Sequence, residues 1–519
     1  MVGLKGVDFS KVGSTVELLG RPTYQPNTKA GYPIFDTNFD EETDLFPFQR
    51  DDVDYLSNVL ESGSDVALNF NEMGLGKTRE AIGIANRMKK SRILVVCPKS
   101  LMLNWKKEIE MLDGNPVMVA KPQTYKKFQD FLENFYTTRW FIINVDVLRR
   151  REFNQFMFMM GFDLVIFDEA HHMRNMEKAA KARGARDFFR VYFNKSTSFE
   201  GEVRQKHALF MTGSPVVNEA TDMFAYFQFL EPERFPNFKT FKYSYCRVVR
   251  GYKSDKAKGF LNPELITSLI AAKGVQHKKS EVAKELPPKI ANIIPLEMDD
   301  DQRDMYNIIE NELVYALDNG EPLHAPEVLQ KLIRLRQISS DPALVGSASV
   351  SSAKTAFFAD FVEGIGDEPF VVFSAFEQYV TILCEVLKKK GVTYARITGK
   401  EDGFQRARNV DKFQNGQVQA IIGTIQSGGE GITLTRASNV LLMDRWWTPA
   451  ANSQAVDRLH RFGQEADQIM IHIPQCIASV DQYMDIILEE KQNLIDSVVV
   501  SSDVQAAVLE MMKKNVGRR

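Results

Sequence analysis

The chain has 519 residues, too many for one hydrophobic core, so two main domains with smaller pieces are expected. Hydrophobic residues make up 44% and charged residues 26%, which excludes a fibrous or wholly disordered chain. Lys and Arg total 65 against 68 Asp and Glu, a net charge of −3; this gives no support for a nucleic-acid partner but leaves local basic grooves open. The four cysteines, Cys97, Cys246, Cys384 and Cys476, form no CxxC pair, which argues against a zinc site or disulfide framework and fits a reducing compartment. Lys5, Asp8 and Lys11 stand where a signal peptide needs an apolar core, and no apolar run approaches the ~18 residues of a membrane span. A soluble intracellular protein with no membrane contact is the expectation.

Residues 1–43 are rich in Gly, Pro, Thr and Asn and read as a small β-rich appendage or an ordered arm. In the stretch 44–235, short apolar runs alternate with amphipathic stretches: Val66–Phe70 then a helix from Lys77, Ile93–Cys97 then a helix around Trp105, Phe141–Val145, Leu164–Phe167 and Ala208–Met211. Such alternation predicts a parallel sheet covered on both faces. Residues 236–350 break the pattern and read as mostly helical, with amphipathic stretches at Asp300–Leu317 and Pro326–Ile338. Alternation resumes over 351–478, at Phe370–Phe373, Tyr394–Ile397, Ala420–Ile422, Val440–Met443 and Ile469–Ile473, and predicts a second α/β domain. Residues 479–519 read as a helical tail.

The strand ending at Phe70 runs into Asn71-Glu72-Met73-Gly74-Leu75-Gly76-Lys77-Thr78 and then a helix. Strand, glycine loop and helix are the context a phosphate-binding loop requires. Glycines let backbone N–H groups curl towards phosphate oxygens, and the helix N-terminus adds partial positive charge. Lys77 would reach the β- and γ-phosphates of ATP and Thr78 would ligate Mg2+. The strict pattern has Gly at position 71, where this chain has Asn.

A second apolar strand, Phe162 to Phe167, ends in Asp168-Glu169-Ala170-His171. Carboxylates at the C-terminal end of a central strand fall beside the phosphate loop, because ligands gather at that edge. Asp168 would hold the metal through water, and Glu169 would orient or deprotonate the attacking water.

In the second half, a predicted helix Pro449–Arg461 carries Gln454, Asp457, Arg458, His460 and Arg461. Arg458 and Arg461 are three apart and would share a helical face, which suits a clamp on phosphate; across a cleft from Lys77 they could act as arginine fingers. The segment Gly428-Gly429-Glu430-Gly431-Ile432-Thr433 permits close backbone approach to a ligand or simply a turn. Arg149-Arg150-Arg151 reads as a solvated loop or a phosphate contact.

Together these residues resemble the SWI/SNF-type branch of helicase superfamily two, over about residues 44–475 and in the right order. Phe46-Pro47-Phe48-Gln49 is similar to its adenine-reading glutamine motif, and Asn71 to Thr78 to its D-E-M-G-L-G-K-T. Cys97-Pro98-Lys99-Ser100 with Asn104-Trp105 resembles motif Ia, and Met211-Thr212-Gly213-Ser214-Pro215 with Asn218 resembles motif III. Trp446-Trp447-Thr448-Pro449, leading into Gln454 and on through Arg458 to Gln464, is the most specific match.

The resemblance implies two RecA-like parallel-sheet domains with helical insertions, clamping one ATP between them. It implies an ATP- and Mg2+-dependent motor that tracks along DNA (duplex, fork or junction) and remodels it or DNA-bound proteins; a monomer is the expected oligomeric state. It places Gln49, Met73, Gly74, Leu75, Gly76, Lys77 and Thr78 around ATP, with Glu169, Arg458 and Arg461 catalytic. It gives Lys99, Ser100, Thr212, Thr424 and Gly429 to DNA contact and His171 and Gln454 to coupling. The location it implies is cytoplasm or nucleoid in a microbe or virus and nucleus in a eukaryote. Three departures stand out: Gln276-His277 where the family often has paired arginines before Lys279, Thr433 for Asn and Thr448 for Asn. Two rival expectations remain: a strand-separating DNA or RNA helicase with the same ATP site, and an ATP-gated DNA-binding switch.

Overall fold

The computed structural model of the chain describes residues 35–120, 137–149, 161–174, 180–193, 206–216, 219–250, 255–283, 286–318, 325–428, 432–461, 463–485 and 488. It divides into two compact units. The first comprises the chain up to Asn69, Gly76–Met211 and Lys273–Val275; the second comprises Phe70–Leu75, Thr212–Ala272 and the chain from Gln276.

The first unit is built on β1 (Val66–Asn69), β2 (Ile93–Cys97), β3 (Val117–Ala120), β4 (Trp140–Asn144), β5 (Leu164–Asp168) and β6 (His207–Met211). After a hairpin of β7 (Cys246–Val249) and β8 (Lys256–Phe260), the short β9 (Gly274–Val275) joins the same sheet. The order is β3-β4-β2-β5-β6-β1-β9, and every neighbouring pair is parallel. Strands β1, β2, β5 and β6 are buried at every residue, which is why they read as unbroken apolar runs. One face is covered by helices Pro47–Glu61, Lys77–Arg87 and Met102–Leu112, whose Leu56, Ile84 and Trp105 enter one core with Val95, Ile166 and Leu209. Helix Ala180–Tyr192 brings Phe189 against Phe167 and Phe210. Full burial of a side chain such as Phe189 stabilises by roughly 1.5–3 kcal/mol.

The second unit has a parallel sheet of β10 (Lys289–Leu296), β11 (Phe370–Ser374), β12 (Tyr394–Ile397), β13 (Ala420–Thr424), β14 (Asn439–Leu442) and β15 (Ile469–Cys476). Its order is β10-β15-β14-β11-β13-β12. Helices Asp300–Asp318 and Ala325–Ser340 share a core, through Tyr306, Leu313, Leu335 and Ile338, with Cys476 and Val480. The antiparallel hairpin β7–β8 stands apart as a two-stranded sheet.

Two expectations change. Residues 236–350 are not only helical: they hold the hairpin, β9 and β10. Strand β10 pairs on one side only, is largely exposed, and carries Pro295. Although most of its residues are apolar, Asn292 and Pro295 interrupt the run, and Pro295 is tolerated because the strand lies at the sheet edge. The expected β-rich appendage falls mostly outside the described residues. Its described part, 35–43, contains no strand, and a helical turn at Glu41–Asp44 starts on an Asp40 cap. Among the described residues, no helix is long and apolar enough to cross a membrane. The four cysteines are free and buried.

Candidate active site

Because every strand pair is parallel, all the C-terminal strand ends of a sheet lie along one edge. In the first unit that edge brings together the chain after β1 and the end of β5. Gly74 (φ +87°) and Gly76 (φ +82°) both take the left-handed conformation that lets the loop turn into the helix starting at Lys77. Gly76 is also fixed by space, since a Cβ there would fall 2.3 Å from Nε2 of Gln49. Gln49 is buried, and its Oε1 accepts the backbone N–H of Phe46 at 2.9 Å. Lys77 and Thr78 occupy the first helical turn, where backbone N–H groups lack helical acceptors and favour an anion.

At the end of β5, Oδ2 of Asp168 accepts the indole N–H of Trp105 at 2.9 Å, and Oδ1 accepts the N–H of Glu169 at 2.9 Å. Burial, then the charge of Glu169, raises the Asp168 pKa to about 6, against the pull of Trp105 and Lys77. Glu169 sits at φ +50°, a strained conformation for a non-glycine residue, costing on the order of 1–3 kcal/mol. Its Oε2 lies 3.1 Å from Nδ1 of His171. Such strain and orientation at one carboxylate are features that functional sites retain.

This donor set fits a magnesium ion: one hydroxyl, Thr78, and one carboxylate, Asp168, leave its other positions for water and phosphate oxygens. Among the described residues there is no group of three or more His, Cys, Asp or Glu side chains able to hold a metal alone. Magnesium used with a nucleotide does not require one.

A pH experiment separates Asp168 from His207, which bonds Lys90 Nζ through Nδ1 (2.7 Å) and the Leu60 carbonyl through Nε2 (3.1 Å). Burial, helped by Lys90, lowers its pKa to about 4. Asp168, raised from 3.8, binds its proton in the fold first, so its contribution to stability is lost as pH rises from about 4 to about 6. His207, lowered from 6.5, stays neutral in the fold while the unfolded chain protonates, so stability is lost as pH falls from about 6.5 to about 4. Each is worth about 3 kcal/mol, with opposite sign. Without nucleotide or divalent ion, Asp168→Asn should steepen the acid loss of melting temperature and His207→Asn should flatten it. Parallel melting curves for both variants and the wild type would contradict these protonation states.

The first half of the phosphate loop is held within the second unit. Oδ1 of Asn71 accepts the N–H of His277 at 2.8 Å, the N–H of Glu72 donates to the His277 carbonyl at 3.0 Å, and Oε2 of Glu72 accepts the N–H of Lys279 at 2.7 Å. Asn71, unusual for such a loop, thus has a structural use as an acceptor. The Lys279 side chain is buried; its Nζ lies 2.9 Å from Oδ1 of Asp457 and 3.2 Å from the His460 carbonyl. Lys289 reaches the same Asp457 oxygen at 3.2 Å. Burial pushes Lys279 down to about 8. Burial opposes charge on Asp457 too, but Lys279 and Lys289 outweigh it and hold that carboxyl below its usual range.

Space around Gly74 is tight: a Cβ there would lie 3.2 Å from Lys279 Nζ and in contact with Cγ of Arg461 at 3.5 Å. Arg461 therefore flanks the glycine loop, and its Nη1 donates to Oγ1 of Thr433 at 3.0 Å. Arg458 is buried, and its Nε donates to the Gly428 carbonyl at 3.0 Å. The two arginines do not share a helical face, because the helix is Pro449–Val456 and stops before both. Tertiary bonds end it: the Arg458 carbonyl accepts from Leu434 N–H at 2.8 Å and the His460 carbonyl from Lys279 Nζ. Gln454 is half-buried on that helix.

Lys99 and Ser100 follow β2, exposed and half-buried respectively. Thr212 follows β6 and is buried, its Oγ1 accepting the Ser214 N–H at 3.1 Å. Thr424 ends β13, and its Oγ1 accepts the Ser427 N–H at 3.3 Å. Met73 and Leu75 are buried. Gly429, Asn218, Arg150, Arg151 and most of the C-terminal tail lie outside the described residues. Sequence reasoning gave no role to Trp105 on Asp168 or to the Lys279–Asp457 pair; both are long-range, and nothing in their local sequence marks them.

Two parallel α/β units, one bearing a glycine loop beside a strand-end Asp-Glu pair, define a P-loop protein of the helicase kind. The chain belongs to the SNF2-related family: the SNF2-related domain matches residues 48–344, and the helicase conserved C-terminal domain matches residues 353–463. It is 25% identical over 508 residues to an uncharacterized ATP-dependent helicase of Mycoplasma pneumoniae, covering 95% of this chain and 46% of that protein. It is 24% identical over 478 residues to the putative ATP-dependent helicase/translocase YwqA of Bacillus subtilis, covering 88% of this chain and 49% of that protein. It is also 24% identical over 465 residues to a SWI/SNF-related matrix-associated actin-dependent regulator of chromatin, subfamily A-like protein 1, of Xenopus tropicalis, covering 88% of this chain and 45% of that protein. The chain thus spans about half the length of the curated relatives it matches. Among solved structures, it aligns with the Sulfolobus solfataricus SWI2/SNF2 ATPase core in complex with dsDNA at 22% identity and a TM-score of 0.40, covering 93% of this chain and 98% of that one.

Proposed function

We propose that the chain is a DNA-stimulated ATPase that moves along double-stranded or branched DNA, as a monomer inside the cell, and remodels the DNA or proteins bound to it. The observation that carries the ATPase reading is the end of β5, where Asp168 is oriented through both oxygens and Glu169 is held in a strained backbone next to His171. The DNA part rests on family membership and on relatives described as ATP-dependent helicases or helicase/translocases.

In this reading the loop N–H groups and Lys77 bind the phosphates of ATP. Thr78 and Asp168 would hold magnesium, which would neutralise charge on the phosphate oxygens. Glu169 positions a water for in-line attack on the γ-phosphorus. The water oxygen bonds to phosphorus, its proton passes to Glu169, and the bond to the ADP oxygen breaks. Arg461 offers its charge to the phosphoryl oxygens. Lys99, Ser100, Thr212, Thr424 and Gly429 are the proposed DNA contacts, with His171 and Gln454 coupling nucleotide state to them.

The test is ATPase rate titrated with duplex DNA, single strand, fork, four-way junction and RNA, followed by displacement of a third strand from a triplex. Duplex or branched DNA should stimulate most, about tenfold or more, and the third strand should be released only with ATP. Stronger stimulation by RNA would favour a strand-separating helicase. Nucleotide-dependent binding without triplex displacement would leave a switch in place of a motor.

A further inference from the structure

Within the second unit, 7 of the 23 residues from Phe238 to Phe260 are Lys or Arg and only Asp255 is acidic, giving +6 where the whole chain carries −3. The described parts of this segment are helix Phe238–Tyr245 and the paired strands β7 and β8, which are hydrogen-bonded to neither large sheet. Its inner face is apolar: Cys246, Ala257 and Phe260 are buried, and Phe260 packs on Phe241, itself against Phe224 and Phe235. Its outer face is different. Arg247 and Val249 are exposed, Lys256 pairs opposite Val249, and Arg250 follows as the strand ends. Strand periodicity puts Arg247, Val249 and Lys256 on one side. Lys239 and Tyr243 are also exposed on the helix before it.

The single acid does not cancel this charge. Oδ2 of Asp255 accepts the Tyr243 hydroxyl at 3.0 Å, while Lys242 Nζ donates to the Asp255 backbone carbonyl at 2.6 Å. Those two bonds tie the hairpin to the helix. Among the described residues, no carboxylate lies within ion-pair distance of Lys239, Arg247, Arg250 or Lys256. Glu219 also reaches the ribbon, its Oε2 accepting the Ala257 N–H at 3.3 Å, but two carboxylates leave the basic residues in excess, and their like charges cost the fold self-repulsion. A polyanion is the partner that relieves this.

We infer that hairpin β7–β8 is a second, sequence-independent contact for the phosphate backbone of duplex DNA, separate from the strand-end residues assigned to DNA above. The inference rests on the DNA reading of the chain and deepens it. Each side chain that meets a phosphate releases condensed counter-ions, so its contribution is read in the salt dependence of binding. The contact would keep the chain on its track without reading bases.

The experiment uses the full chain and a blunt duplex oligonucleotide, without nucleotide. Affinity is followed by fluorescence anisotropy over a range of salt, for the wild type, for Arg247→Gln/Arg250→Gln/Lys256→Gln, and for Arg247→Lys/Arg250→Lys. The glutamine triple should bind about tenfold or more weakly, and the slope of log affinity against log salt should fall by ~0.9 for each phosphate that is no longer neutralised. The lysine double should keep the wild-type slope. ATPase at saturating duplex should stay within about twofold of wild type, with more DNA needed for half-stimulation.

Equal slope and affinity in the glutamine triple and the wild type would overturn the contact, and would point to an acidic protein as the occupant of this face. A lysine double as weak as the glutamine triple would also overturn it, because charge alone should suffice. Salt-dependent binding abolished in the triple, in a chain whose ATPase ignores DNA, would uphold the contact while removing the motor reading. Normal duplex stimulation with an unaltered triple would do the reverse. Melting temperatures of all three proteins control for folding, and a triple that melts early is replaced by Arg247→Gln/Arg250→Gln, expected to show about two-thirds of the slope change.

Discussion

A chain carrying Glu169→Gln is expected to bind ATP about as tightly as the wild type and to hydrolyse it about 10²–10⁴-fold more slowly. Glutamine is close to glutamate in size and can keep a hydrogen bond near His171, so the loop backbone should stand. It cannot accept the proton of the attacking water at neutral pH. The neighbouring Asp168 does not replace it, because in this reading its carboxylate is committed to magnesium, with Trp105 and the Glu169 N–H orienting its two oxygens. Rapid-quench single-turnover hydrolysis, alongside titration of a fluorescent nucleotide, separates the chemical step from binding. Hydrolysis near the wild-type rate would remove Glu169 from the mechanism, and weakened nucleotide binding would mean that its carboxylate supports the loop.

The second large effect is at Arg461. Removing an arginine that neutralises charge in phosphoryl transfer costs about 10³–10⁵ in rate, and Arg461→Ala should approach that range while leaving ATP affinity within a few-fold. The argument is positional. The side chain stem runs beside Gly74 of the glycine loop, and its Nη1 donates to the Thr433 hydroxyl. Arg461→Lys should recover little, because a lysine has no planar fork for two phosphoryl oxygens. Arg458 provides the contrast. Its guanidinium is buried with a bond to the Gly428 carbonyl, so Arg458→Ala should lower melting temperature as well as rate. Steady-state ATPase at saturating ATP and DNA, with thermal melting of both alanine variants, distinguishes them. A fully active Arg461→Ala chain would end its assignment.

Much of the architecture was legible because buried parallel strands have few ways to be written. Runs such as Ile93–Cys97, Leu164–Asp168 and Ala420–Thr424 are covered on both faces and must be apolar throughout. Lys289–Leu296 escaped the same reading, since its side chains face solvent and only β15 holds it. The helix from Pro449 was read five residues too long because its end is set by distant donors, Leu434 N–H and Lys279 Nζ, and by no local stop residue. Local spacing placed Lys77 and Thr78 at a helix start after β1, and Asp168 and Glu169 at the end of β5. It had no means of giving Trp105 to Asp168, 63 positions away, or Lys279 to Asp457.

The clasp on the first half of the phosphate loop bears on how this sequence can drift. Residue 277 grips the loop with its peptide group: its N–H goes to Asn71 and its carbonyl receives Glu72. A peptide N–H and carbonyl are supplied by any residue except proline, so most replacements at 277 need not loosen the loop. Position 71 is less free, since the bond from 277 ends on a side-chain oxygen that only Asn, Asp or a close mimic can present. Variation should therefore be tolerated at 277 and resisted at 71, an asymmetry that paired saturation libraries selected for nucleotide binding would expose.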